Sequence, residues 1–387
     1  MAKNKKTEPS TGYYKPIGNG NRAFVPAPLP PAYDFNKIDR MLYGRAQRLL
    51  GELNGVGLMI NKPYLLISPF SRREAVASSR IEGTQASVED VLYYEIANGD
   101  ESFMKDRSVE DIREVTNYIA ALDYGRRRLD EIPISLRLIK EMHRILMRNV
   151  RGKQAAPGQF RKIQNWIGDF KTPIEEAKFI PPPVPEMKKC LDQWEKYIHA
   201  ESGLDILTQC SLIHYQFEAI HPFLDGNGRI GRLLIILYLC SKKALSQPLL
   251  YLSPYFERNR EEYYTRLANV SKEGEWKKWC EFFLRAVVEQ ANYAISEGRK
   301  IIELQERYRN ILDAESRVPK GVYLILNEIF DLPIATIPRL SAKLKLPYNT
   351  VNSGLSRLKK LGILTVVSSH PKIFISNELL DIYTQGM

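Results

Sequence analysis

The stretch HPFLDGNGRIGR, His221 to Arg232, decides the reading of this chain. It holds one imidazole, one carboxylate, one amide, three glycines and two guanidiniums, and little of it is core material. Yet it lies between two strongly apolar segments, LIHYQFEAI and LLIILYLC. Unpaired buried charge is costly, so polar groups placed between hydrophobic helices call for a ligand that satisfies them. The alternative is a helix N-terminus whose polar groups satisfy one another within the loop.

The glycines carry the first argument. Gly226, Gly228 and Gly231 open an apolar helix. A glycine-rich turn there points backbone N–H groups outward, and the helix dipole adds positive charge. Such a nest binds phosphate. Asn227 adds a possible amide donor. Arg229 and Arg232 are three apart, which puts them on one helix face. Two guanidiniums beside an anion nest suit a polyphosphate better than a single phosphate. Asp225, beside phosphates, reads as a Mg²⁺ ligand. His221, as a neutral imidazole, can take a proton from an attacking hydroxyl. Phe223 reads as the anchor of the loop.

These residues match every fixed position of HxFx[DE]GNGRxxR, and the chain thereby resembles the Fic family. The resemblance implies an all-α catalytic core that transfers AMP from ATP to a protein hydroxyl. It implies His221 as general base, Asp225 as holder of Mg²⁺, and Gly226, Asn227 and Gly228 as the α-phosphate anion hole. It also implies that Arg229 contacts phosphates and that Arg232 grips the γ-phosphate, with Gly231 in the same nucleotide-binding run. GQFRKIQNWIG followed by KFIPPP resembles the family's β-hairpin flap, which orders a target peptide by strand addition. There Trp166 and Ile167 face the site or simply pack. LSPYFERNREEYYTRL resembles the segment that covers the adenine, with Tyr263 as either an adenine contact or a core aromatic. SSRIEG fits the family's inhibitory pattern [ST]xxxE[GN] at Ser78, Glu82 and Gly83. The resemblance pairs Glu82 with Arg232 and implies autoinhibition from an N-terminal helix.

The rest of the chain frames this core. Its 387 residues suggest two or three domains. A composition of 44% hydrophobic and 26% charged residues is that of a globular protein. No run long enough to span a membrane is present, nor an apolar leader, so the expectation is a cytoplasmic protein. The net charge of +11 permits an anionic partner without choosing one. Four isolated cysteines and five histidines without HxxxH spacing speak against disulfides or a zinc site.

The expected organisation is a flexible arm over 1–32, then an N-terminal helical region with the inhibitory motif over 33–107. The catalytic core follows over 108–300, a helical connector over 301–316 and a winged-helix domain over 317–387. Helices are expected over 36–55, 72–81, 108–130, 135–149, 185–200, 204–220, 229–244, 260–272 and 275–315. Ser87 is expected to cap a helix with Asp90. The last domain reads as three helices and a two-stranded wing.

The leading function class is a self-inhibited protein adenylyltransferase acting on an unidentified target and on itself, with ATP and Mg²⁺. The alternatives are another transfer on the same fold, including removal of AMP, and a DNA-binding regulator with a nucleotide-sensing core. DNA would meet Asn349, Thr350, Asn352 and Arg357. The family's frequent dimerisation makes a homodimer a further expectation.

Overall fold

The computed structural model describes residues 11–59, 64–97, 108–150, 156–168, 173–369 and 372–384. The first ten residues of the expected arm, the flap turn at 169–172 and the wing tip at 370–371 lie outside them.

Two helices with almost no exposed face form the centre: α7 (Ile206–Ile220) and α8 (Asn227–Ser241). Helices apolar on all sides are buried ones, and the two pack against each other. The polar run joins them. Asp205 starts α7 by accepting the Thr208 N–H at 2.8 Å, a normal N-cap.

Around this pair lie α1 (Arg40–Met59), α2 (Tyr64–Ile81), α3 (Val88–Ile96), α4 (Val109–Arg128), α5 (Leu136–Leu146) and α6 (Val184–His199). On the far side are α9 (Ser253–Arg258), α10 (Arg260–Glu273) and α11 (Trp276–Asp313). Local sequence sets the starts. Ser87 accepts the Asp90 N–H and Asp90 accepts the Ser87 N–H, a reciprocal box that opens α3. Ser108 and Ser135 cap α4 and α5. Gly274, at φ 70°, closes α10 in the left-handed region that glycine tolerates. With 38 residues, α11 is about 57 Å long. It runs along α1 and reaches the C-terminal domain.

That domain holds α12 (Lys320–Asp331), α13 (Ile337–Leu344), α14 (Tyr348–Lys360) and α15 (Asn377–Thr384). Strands β3 (Ile334–Thr336), β4 (Thr365–Ser369) and β5 (Lys372–Ile375) form an antiparallel sheet in the order β3-β5-β4. The three helices and two strands expected here are present, and a third strand and a closing helix are added. Arg357 does not face outward as expected of a base-reading residue. It donates to the Ser316 and Arg317 carbonyls and pairs with Glu315, tying α14 to the end of α11.

Two further expectations are corrected. Residues 11–32 are no loose arm. Strands β1 (Gly12–Gly18) and β2 (Asn21–Pro26) pair antiparallel, and Ala23, Phe24 and Val25 are buried. Glycine and proline point to a loose segment, but the apolar AFV at 23–25 packs into the core and fixes the hairpin. Helix α2 starts at Tyr64 and not at residue 72, and it runs on through Pro69, which lies inside it. Among the described residues, the flap pairs through one antiparallel bridge, Ile167 with Phe179.

Candidate active site

His221 ends α7 in the left-handed region, at φ 49° and ψ 61°. Histidine is among the residues that enter it at modest cost. The chain there turns sharply into the polar loop, which a ring of hydrogen bonds holds. Asn227 Oδ1 accepts the Phe223 N–H at 2.8 Å, and its Nδ2 donates to the Phe223 carbonyl at 2.9 Å. The Asn227 amide therefore braces the loop and does not reach outward as a donor. Arg161 donates through Nε to the His221 carbonyl, and its backbone N–H donates to that of Pro222. Asn165 donates to the Phe223 carbonyl.

Beneath the loop, Phe223 is buried and stacks on His143 at 3.7 Å, nearly parallel. His143 Nδ1 accepts the Gly158 N–H at 2.8 Å. Its proton must then sit on Nε2, which donates to the Asp225 carbonyl at 2.9 Å. Burial pulls this imidazole down to about 4, so it stays neutral and keeps both bonds.

The start of α8 offers the expected nest. Gly226 is its N-cap at φ 79°, and a helix leaves its first N–H groups without intrahelical partners. Asp225 Oδ1 accepts the Gly226 N–H at 2.6 Å, while about half of its side chain stays exposed.

The two arginines part company. Arg229 is buried and pairs with Glu114 of α4 at 2.9 Å and with Asp225 at 3.4 Å. Arg232, equally buried, turns to α2. Its Nε donates to Ser78 Oγ at 2.8 Å, and one Nη donates to the Ser78 carbonyl at 2.9 Å and to Glu82 Oε1 at 2.7 Å. Burial alone would raise the Glu82 carboxyl, but Arg232 holds it below its ordinary range. Glu82 lies directly over Gly228, where a Cβ would come within 2.4 Å of Oε1. Gly83, at φ 105°, lets the chain leave α2 at that point.

His221 faces the same cleft. Burial, then Arg161, pull its imidazole down to about 4. Its Nδ1 is enclosed beside the backbone of Glu218. The imidazole is neutral near pH 7 and free to accept a proton.

The cleft encloses about 500 Å³ between the flap, the end of α7, the start of α8 and α10. Ile167 and Trp166 line it from the flap. Ile167 donates to the Phe179 carbonyl and accepts the Lys178 N–H, both at 2.8 Å. The N-terminal hairpin backs the flap, since Phe24 donates to the Ile180 carbonyl. Tyr263 is a core aromatic at the cleft wall. It is buried and stacked on Phe256 at 4.6 Å. His214 Nδ1 faces the Gly231 carbonyl, which only accepts, so Nε2 is the acceptor for the Tyr263 hydroxyl at 2.8 Å. Its neighbour Tyr264 is the more exposed ring on that wall. Gly231 makes no room for a ligand; it leaves space for Glu218.

Sequence reasoning missed His143, Arg161, Asn165, Glu114 and Glu218. His143, Arg161 and Asn165 work through backbone carbonyls and Glu114 through a charge distant in sequence, so local spacing carries no signal for them, while Glu218 reads as one more residue of an apolar helix.

Comparison with known proteins agrees with the geometry. Residues 40–127 match the Fic/DOC family N-terminal model and residues 133–239 the Fic/DOC family model, together just over half of the chain. The "Protein adenylyltransferase Fic" of Drosophila yakuba and that of Drosophila melanogaster are each 28% identical over 179 residues. That stretch is 46% of this chain but only 32% and 33% of theirs, so the chain spans about a third of those relatives. A Fic family protein from Desulfovibrio desulfuricans G20 superposes with a TM-score of 0.54 at 20% identity, over 90% of this chain and 98% of that one. A Fic domain containing signaling protein from Bacteroides thetaiotaomicron gives 0.52 at 17%, over 67% and 96%. These two likenesses concern the fold. With both family segments matched and the motif folded as a helix-start nest, the chain belongs to the Fic/DOC family.

Proposed function

We propose that this chain is a protein adenylyltransferase held inactive by its own Glu82. The observation that carries the reading is the Arg232–Glu82 pair, at 2.7 Å, about one turn along α8 from the N–H nest and lining the same cleft as His221. ATP would lay its α-phosphate on the N–H groups of α8 and its terminal phosphates toward Arg232. A target hydroxyl, presented along the flap backbone at Ile167, attacks the α-phosphorus. The new P–O bond forms as the bond to pyrophosphate breaks, and the hydroxyl proton passes to the His221 imidazole. Placement of the reacting atoms and stabilisation of charge account for most of such a barrier.

Mg²⁺ fits the donor set. Among the described residues no cluster of three or more metal-ligating side chains exists. A single half-exposed carboxylate, Asp225, suits an ion that arrives with phosphates and keeps its waters. Bound there, the ion would neutralise charge on the departing pyrophosphate.

While Glu82 holds Arg232, the terminal phosphates lack their cation and the α-phosphate is out of line. Mass spectrometry after incubation with Mg²⁺ and ATP tests this. Glu82→Gly is expected to raise incorporation of the adenylyl group, an increment of about 329 Da (AMP less water), by about ten-fold or more. His221→Ala in that background should abolish it. No gain from Glu82→Gly would remove the inhibition, and an added phosphate mass would change the reaction assigned.

A DNA contact is supported by a separate feature. Tyr348, Asn349 and Thr350 at the start of α14 are exposed, with exposed Lys345 just before them. A salt-dependent gel shift that weakens in Asn349→Ala would support it.

A further inference from the structure

Glu218 sits on the last turn of α7, three residues before His221, and lines the cleft. Its Oε1 is enclosed and makes no hydrogen bond. A Cβ on Gly231 would lie 2.1 Å from that oxygen. The bare glycine is therefore a seat that holds the Glu218 carboxyl against α8. Glu82 is seated the same way over Gly228, with its Oε1 2.4 Å from the Cβ position. The seats are three residues apart, so they are neighbours on one helix face. Arg232 acts on both carboxyls.

Glu82 is hydrogen-bonded to its cation, whereas Glu218 feels Arg232 only at a distance and its Oε1 has no hydrogen-bond partner among the described residues. An enclosed polar atom left unpaired is costly and calls for an explanation. Here the open side of the group is the cleft. Glu82 of α2 and Arg232 of α8 are the charges that act on it most strongly. His214 and His221 on its own helix are neutral. Tyr263, Tyr264 and Arg260 of α10 and Lys178 of the flap complete the surroundings. Burial, against the pull of Arg232 and with the push of Glu82, moves the Glu218 carboxyl up to about 8. Near pH 7 it is an acid with a proton to donate.

We propose that Glu218 is a further nucleotide-binding residue, an uncharged carboxylic acid that donates a hydrogen bond to the phosphate chain beside Arg232 once Glu82 has withdrawn. The proposal rests on the nucleotide reading above. Phosphates restore the negative charge that Glu82 took away, and so keep Glu218 protonated. An O–H donor on an anionic oxygen is among the stronger hydrogen bonds. An ionised Glu218 would instead repel the phosphates and compete for Arg232.

The test is calorimetric titration of Glu82→Gly with Mg²⁺ and α,β-methylene-ATP, an analogue that blocks transfer. One unit of difference in the Glu218 ionisation between empty and filled cleft is ten-fold in affinity, so binding should weaken about ten-fold from about pH 7 to about pH 9. Adding Glu218→Gln, which keeps a donor but cannot ionise, should bind well at both and change by less than about two-fold. Adding Glu218→Leu should bind about ten-fold more weakly than Gln at both. The assignment is overturned if the Gln variant keeps the full pH loss, or if Leu binds as tightly as Gln. If folded Glu82→Gly binds no analogue at either pH, the nucleotide reading falls and the Glu218 role with it.

Discussion

His143 and His214 are buried as neutral imidazoles, drawn down to about 4 and about 3 chiefly by burial. In the unfolded chain each would take up a proton near pH 6.5. Between that value and about 4 the unfolded state binds more protons, so stability falls as pH falls. Each group contributes at most about 1.4 kcal/mol per pH unit. Glu218, raised to about 8, works the other way: it disfavours folding as pH rises from the ordinary carboxylate range. With His221, likewise drawn down to about 4, three groups against one leave acid as the losing direction below about 6.5, and Glu218 works against stability above it. Urea unfolding should therefore show its highest midpoint near about pH 6.5, with a marked drop by about pH 4.5. A midpoint that holds or rises on acidification would contradict the neutral burial of these rings.

The motif's polar groups could be read from the sequence, because each residue type names its chemistry. Where they point could not. Spacing puts Arg229 and Arg232 on one face, yet their long side chains diverge to carboxylates 115 and 150 residues upstream. Nothing near the motif names Glu114, while Glu82 was reached through family resemblance and not through spacing.

At the scale of the element, α2 is the clearest case of a helix with more than one master. Its early turns bind the C-terminal domain, where Ser68 donates to Asp331 Oδ1 at 2.6 Å and Arg72 donates to the Asp331 carbonyl at 3.0 Å. Arg72 also makes a two-pronged bond with Glu95 of α3. Midway, buried Glu74 accepts from Tyr118 of α4 and from both the hydroxyl and N–H of Ser253. At its end, Ser78 and Glu82 hold Arg232. Ser78→Ala removes one acceptor of Arg232 and leaves the ion pair. AMP incorporation should rise several-fold, by less than with Glu82→Gly, since one lost hydrogen bond is worth about 1 kcal/mol. Activity unchanged by Ser78→Ala would mean that the serine only fills space. Apolar periodicity announced the later part of α2, α4 through α8 and α11. It failed at the N-terminal hairpin, where a three-residue apolar core is too short to signal. It failed again at α9, a six-residue helix.

For the whole molecule, the C-terminal domain is no loose appendage. Asp331 at the end of α12 holds Ser68, and Lys343 of α13 pairs with Asp331 and Glu328. Helix α15 packs on α2, α3 and α11. Asp331→Ala leaves the active-site residues untouched but frees one end of α2. Self-modification is then expected to rise several-fold, with a loss of stability of about 1–3 kcal/mol in urea unfolding. A variant destabilised to that extent yet no more active would show that the two ends of α2 are independent. The bracing also bears on where the chain can be cut. The family match ends at residue 239, but a fragment ending there would lose Ser253, two of the three donors to the Glu74 carboxylate, along with the anchor for Ser68. Such a fragment would carry every motif residue and still be a different object: a lock whose bolt is present while its housing has been sawn away.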